Sequence, residues 1–146
     1  MDKWVRRYLN LAREVSTWSK DPRSQVGAVA VKNRSVVSQG MNGLPIGVED
    51  TPERLNDREL KNKLIVHAET NCVVSAARNG VSLLGADLYV YGIPVCHECS
   101  KLVIQSGIKC VHMLHRPVDP RWAESFELTK MMFAEAGVEW HCHENT

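Results

Sequence analysis

Apolar positions in the first twenty residues recur at helical intervals. Trp4, Val5, Tyr8, Leu11, Ala12 and Val15 fall three or four apart with charged residues between them, which predicts a helix over 4–18. Asp21-Pro22 ends it. The pattern then turns strand-like. Residues 26–31 and 35–39 are short β-type runs joined by Lys32-Asn33-Arg34, and together they predict a hairpin. A glycine-rich loop follows over 40–47, and a highly charged stretch over 52–63 predicts a short exposed helix. A helix over 67–78 stops at Asn79-Gly80. Next come a strand over 87–91, a helix over 96–105 closed by Ser106-Gly107, and a strand over 108–115. An amphipathic helix over 121–135 carries Trp122, Phe126, Met132 and Phe133 and ends at Gly137, and a last short strand is expected over 138–141. Helices alternating with strands after an opening hairpin predict an α/β domain, a mixed sheet with helices on both faces. No repeat, low-complexity tract or linker breaks the pattern, so residues 1–146 are expected to form one domain.

Composition narrows the function classes. Apolar residues make up 44% and charged residues 24% of the 146, as in a folded globular chain with a core of its own. The formal net charge is only +1, which counts against a polynucleotide partner, since tracking a phosphate backbone calls for a basic excess. No run approaches the roughly 20 apolar residues that span a bilayer, so no membrane partner is expected. The first sixteen residues mix Asp2, Lys3, Arg6, Arg7, Arg13 and Glu14 with apolar positions and lack a signal-peptide core, so a cytoplasmic location is expected. Cysteines stay reduced there, and the five present are not a disulfide framework. Cys72, Cys110 and Cys142 are scattered and are expected to be small buried core residues.

Cys96 and Cys99 are different. A C-x-x-C at a helix start puts two thiols one turn apart on one face, where both reach one ion. Its rivals are a thioredoxin-like redox pair and half of a structural zinc site, but a redox pair needs no distant His and no second C-x-x-C is present. His67 as a third ligand leaves a fourth position open, the arrangement of catalytic zinc. Glu69 lies two residues after His67. Successive helical residues turn by about 100°, so both face one ion only if the helix meets it end-on. His67 is therefore expected at the first helical position and Cys96 at the start of the next helix. Two helix N-termini would converge on the metal, and their positive ends would help keep the thiols ionised. A carboxylate beside a metal-bound water can take its proton and pass it to a departing amine.

The segments Val26-Gly27-Ala28-Val29, Gly40-Met41-Asn42-Gly43-Leu44-Pro45-Ile46-Gly47, His67-Ala68-Glu69-Thr70-Asn71, Cys96-His97-Glu98-Cys99-Ser100-Lys101 and Ile104-Gln105-Ser106-Gly107-Ile108 carry a resemblance over nearly the whole chain. In this order they resemble the zinc-dependent cytidine and deoxycytidylate deaminases, most of all the deoxycytidylate branch. The resemblance implies a three-layer α/β/α cytidine deaminase-like fold with a mixed sheet of about five strands. It implies zinc ligands His67, Cys96 and Cys99, Glu69 as proton shuttle and Asn42 as pyrimidine contact, with backbone near Ala68 and Pro94 holding the base. The implied reaction is dCMP and water to dUMP and ammonia, with zinc-bound hydroxide attacking C4. A homo-oligomer, dimer or hexamer, is implied too, and the apolar surplus of the last helix points the same way.

Two departures stand out. The family usually has Pro directly before the first Cys, whereas here Val95 intervenes, and Met41 stands where the branch favours Tyr. No Cys or His precedes His67, so a single zinc is expected. Asn42 could equally shape an Asn-Gly turn. His97 diverges from its neighbours on a helix and is not preferred as a ligand, and His112, His115, His141 and His143 are expected to be surface or satisfied core residues. Arg54, Arg58 and Lys61 form a charged face that is ordinarily just solvated. They, with Arg23 and Arg116, are also the cations that could hold a substrate phosphate. The competing functions are a related deaminase acting on a nucleoside, a free base, a pterin-like ring or tRNA adenosine, a non-catalytic zinc module, and a thiol redox protein.

Overall fold

The computed structural model describes residues 1–144. Its elements run α1 (Lys3–Ser16), β1 (Gly27–Lys32), β2 (Ser35–Met41), α2 (Pro52–Asn56), α3 (Arg58–Leu64), α4 (Ala68–Arg78), β3 (Asp87–Gly92), α5 (His97–Gln105), β4 (Cys110–His115), α6 (Pro120–Ala136) and β5 (Glu139–His143). The strands form one sheet in the order β2-β1-β3-β4-β5. β1 pairs antiparallel with β2 and β3, whereas β3–β4 and β4–β5 are parallel. The hairpin turns at Asn33 and Arg34, both at positive φ, the backbone that a two-residue turn between twisted strands requires.

Alternation along the strands builds the layers. Val29, Val31 and Tyr89 face one way and meet Tyr8, Leu9, Ala12 and Val15 of α1. Ala28, Ala30, Leu88, Val90, Val111 and Met113 face the other way and meet Cys72 and Ala76 of α4, Val103 of α5 and Phe133 of α6. The result is the expected three-layer α/β/α arrangement. Asp2 starts α1 by accepting the Trp4 N–H at 2.8 Å, and Gly137 ends α6 in the left-handed conformation.

One end of the sheet gathers the chemistry. Gly27 at the start of β1 pairs with Met41 at the end of β2 and with Tyr91 near the end of β3, and Gly92 pairs with His115 at the end of β4. The segments before β1 and after β2, β3 and β4 therefore emerge together. Gly40 lets β2 press on the first turn of α4: a Cβ there would lie 2.5 Å from the Cys72 nitrogen and 2.6 Å from the Ala68 oxygen.

The charged stretch expected as one exposed helix is two short ones, α2 and α3, divided at Asp57, which caps α3. Nor is all of it solvated. Lys61 turns inward and its ammonium sits 2.9 Å from Asp21, with side chains 6% and 2% exposed. Asp21 also accepts the N–H groups of Arg23 and Ser24 and one amide hydrogen of Asn42. This ion pair fastens α3 to the loop before β1. Removing one partner of a buried pair strands the other charge in a low dielectric, so Lys61→Ala should cost about 3–5 kcal/mol in urea denaturation. A cost below about 1 kcal/mol, the range of exposed pairs, would contradict this role.

Candidate active site

His67 and Cys96 are each one residue outside the helix they precede. Both are N-caps in extended backbone, His67 before α4 and Cys96 before α5, rather than first helical residues. An N-cap side chain can turn back over the helix end, which is how both reach a common point. Nδ1 of His67 lies 3.4 Å from Sγ of Cys96 and 3.4 Å from Sγ of Cys99. A tetrahedral centre with zinc-type bond lengths places nitrogen and sulfur ligands roughly 3.5 Å apart, so the two sulfurs and the nitrogen fit zinc with little movement. Sγ of Cys96 also accepts the Cys99 N–H at 3.5 Å, and the Thr70 hydroxyl touches Sγ of Cys99 at 3.4 Å. These contacts fix the positions of the two sulfurs.

The group is already polarised. A hydrogen bond from Cys99, aided by His67, pulls the Cys96 thiol down against the effect of burial. Cys99, donating that bond and buried, is pushed up. The bond to Cys96 raises His67, with the Glu69 charge adding to it. Binding a metal here therefore displaces the Cys99 proton. Glu69 is in the first turn of α4, 4% exposed, and burial pushes it up to about 7, with the Cys96 thiolate adding to the shift. A bound dication would pull it the other way.

His67, Cys96 and Glu69 line a cavity of about 470 Å³. Ala68 and Pro94 are also on its wall. The intervening Val95 is fully buried, and its carbonyl accepts the Thr129 hydroxyl at 2.9 Å, so the longer turn is absorbed into the core. Asn42 borders the cavity with its amide engaged: Oδ1 accepts the Val26 N–H, and Nδ2 donates to the Ser24 carbonyl and to Asp21. These bonds tie the segment after β2 to the loop before β1, and Asn42 is not at positive φ, so it does not take the left-handed Asn-Gly turn that the sequence allowed.

The cations divide. Arg23 and Arg58 are exposed on the cavity rim, whereas Lys61 lines the cavity but is spent on Asp21. Arg54 and Arg116 do not line it. Arg54 donates to the Glu49 carbonyl, which closes the turn before α2, and Arg116 donates to the Gln25 carbonyl. His97 points away from the sulfurs to the Ser125 hydroxyl, 2.8 Å from Nδ1. Cys142, expected in the core, is exposed because it lies on the edge strand β5. Two residues on the wall were not foreseen. Arg121 opens α6 at the rim, and Trp122, expected as core or subunit contact, sets its ring edge-on to His67 with centroids 6.4 Å apart. The helix-start signal Asp119-Pro120 before them was the available clue.

Residues 2–115 match the family model for the cytidine and deoxycytidylate deaminase zinc-binding region. The chain is 40% identical over 141 residues to an uncharacterized deaminase of Aliivibrio fischeri, covering 95% of this chain and 92% of that protein. It is 35% identical over 144 residues to the deoxycytidylate deaminase of Homo sapiens, covering 93% and 77%. The crystal structure of the dCMP deaminase from cyanophage S-TIM5 in complex with dCMP and dUMP superposes with a TM-score of 0.78 at 27% identity, covering 98% and 99% of the two chains.

Proposed function

This chain belongs to the cytidine and deoxycytidylate deaminase family, and on that premise we propose that it converts dCMP and water to dUMP and ammonia with one catalytic zinc per chain. The supporting observation is a single cavity. It joins His67, Cys96 and a buried Glu69 on its wall to three exposed cations, Arg23, Arg58 and Arg121, on its rim. A base fits against the wall and a phosphate suits the rim.

Zinc held by His67, Cys96 and Cys99 supplies a Lewis acid that makes water nucleophilic near neutral pH. The chain's own groups do the rest. Glu69 takes a proton from the attacking water and delivers it to N3 of the base as oxygen bonds to C4. A second proton, relayed by the same carboxyl, leaves with the exocyclic amine as ammonia. A carboxyl on the cavity wall beside the reacting atoms can both accept and donate a proton. Trp122 and Ile93 close the sides of the base pocket. Asn42 holds the loop before β1, from which Ser24 and Val26 reach the cavity.

The rim cations favour a nucleotide over the bare nucleoside. Arg–phosphate bonds are charge-assisted, and binding energy far from the reacting carbon can orient the base and raise turnover. kcat/KM for dCMP is expected to exceed that for deoxycytidine at least tenfold, about 1.4 kcal/mol. Steady-state assays of both substrates under one set of conditions test this. Equal values would mean the arginines only solvate the surface. Turnover of neither, with activity on another amine, would move the substrate class.

The proposal extends to a single deaminase-type domain over residues 1–146, a homo-oligomer and a cytoplasmic location. Leu128 and Met131, one turn apart on α6, are exposed apolar side chains suited to a subunit contact. Thiols serving as metal ligands suit a reducing compartment, and all five cysteines are free.

A further inference from the structure

A second set of metal-ligating side chains lies on the other face of the sheet. α1 packs on β1 and β3 and reaches β4 only marginally, so among the described residues no helix covers the β4–β5 half of that face. Parallel pairing sets Cys110 beside Glu139 and His112 beside His141. With a side-chain period of two, Cys110 and His112 on β4 and Glu139, His141 and His143 on β5 share this face. The Cys110 sulfur, a Glu139 carboxylate oxygen and a His141 ring nitrogen all lie within 4.8 Å of one another. Nε2 of His112 is 3.5 Å from the Cys110 sulfur, and Nδ1 of His112 is 3.0 Å from Nε2 of His143. The His112 ring stacks on Tyr89 and on His141, with centroids 4.9 and 5.0 Å away.

We propose that Cys110, Glu139 and His141 bind a divalent ion of the zinc class, with His112 as the nearest further donor. One sulfur, one nitrogen and one carboxylate oxygen form a mixed donor set that suits zinc better than magnesium or calcium. Two paired strands give the ligands a rigid frame. Cys110 is buried at the base of the group, while the Glu139 and His141 side chains are 77% and 50% exposed, so an ion has a way in. The group is separate from the deaminase site, which lies at the far ends of β3 and β4, and none of its residues lines that cavity. The Glu139 and His141 atoms are 3.9 Å apart, against roughly 3.3–3.8 Å between ligands around tetrahedral zinc. The ligands must close in slightly, so the ion is expected to exchange freely, unlike zinc on the preformed His67 triad. It would tie β5, an edge strand, to β4.

Equilibrium dialysis of the zinc-loaded protein against micromolar zinc chloride, with a reductant that does not bind zinc, tests the site. Wild type is expected to take up a second equivalent. His141→Ala and Cys110→Ser are expected to bind it roughly tenfold more weakly or not at all, with the first equivalent and the deaminase turnover unchanged. His141 is exposed, so His141→Ala decides the matter even if Cys110→Ser folds poorly. Cobalt added to the zinc-loaded protein should produce a thiolate charge-transfer absorption that Cys110→Ser lacks. Uptake of a single equivalent by wild type, or a second equivalent retained by His141→Ala, would overturn the proposal.

Discussion

Glu69→Gln is expected to lower kcat by about 10²–10⁴-fold while the protein keeps its fold and its zinc. Glu69 is buried on the cavity wall and is not in the ligand triangle, so the metal has no reason to leave. Gln fills the same space but cannot carry a proton. A second readout separates this from general damage. In the metal-free protein, burial raises Glu69 from 4.5 to about 7. A group raised on folding favours the folded state in its protonated form. That contribution is complete below pH 4.5 and is lost as pH rises through about 7. Gln never ionises and escapes the loss. At pH 8 metal-free Glu69→Gln should therefore be more stable than metal-free wild type by about 3 kcal/mol, with the gap closing towards pH 4. Activity within tenfold of wild type would sink the shuttle role, and a less stable Gln variant at pH 8 would contradict the burial argument.

Removing the metal should abolish turnover, by roughly 10³-fold or more, and returning zinc should restore it. Recovery is expected because the fold has a core of its own. Sγ of Cys96 accepts the Cys99 N–H at the start of α5 and lies 3.4 Å from Nδ1 of His67. The two core clusters are built from side chains on α1, α4, α5, α6 and the sheet, most of them away from the site. Cys99→Ser removes a ligand and should not be rescued by zinc at the concentration that restores wild type. Chelator treatment followed by metal assay and turnover, under reducing conditions, measures all of this. Full activity in protein shown to be metal-free would contradict it.

Much of the fold is legible in the order of periods, because α1 buries one clear face and the side chains of β3 alternate between the two core clusters. Tyr8, Ala12 and Val15 mark α1, and Leu88 and Val90 alternate with Tyr89 on β3. The His67, Cys96 and Cys99 group and Glu69 are legible because their spacing is set by short-range geometry at two helix starts. What stayed hidden depends on the topology. Arg121 follows Cys96 by twenty-five positions. It reaches the cavity because β3 and β4 run parallel and their carboxyl ends open on the same side. Lys61 sits in a run that looks solvated, and only its distant partner Asp21 turns it inward. Arg54 and Arg116 look as available as Arg23 and Arg58 until the backbone carbonyls they bind are seen.

Turnover of dCMP by the zinc-loaded protein in water enriched in heavy oxygen tests hydrolysis at this site most directly. Mass spectrometry should find dUMP carrying one heavy oxygen in the base, matched by one ammonia per product, with Glu69→Gln giving neither above background. No dUMP, dUMP without the label, or labelled product formed equally well by Glu69→Gln would contradict deamination by this cavity.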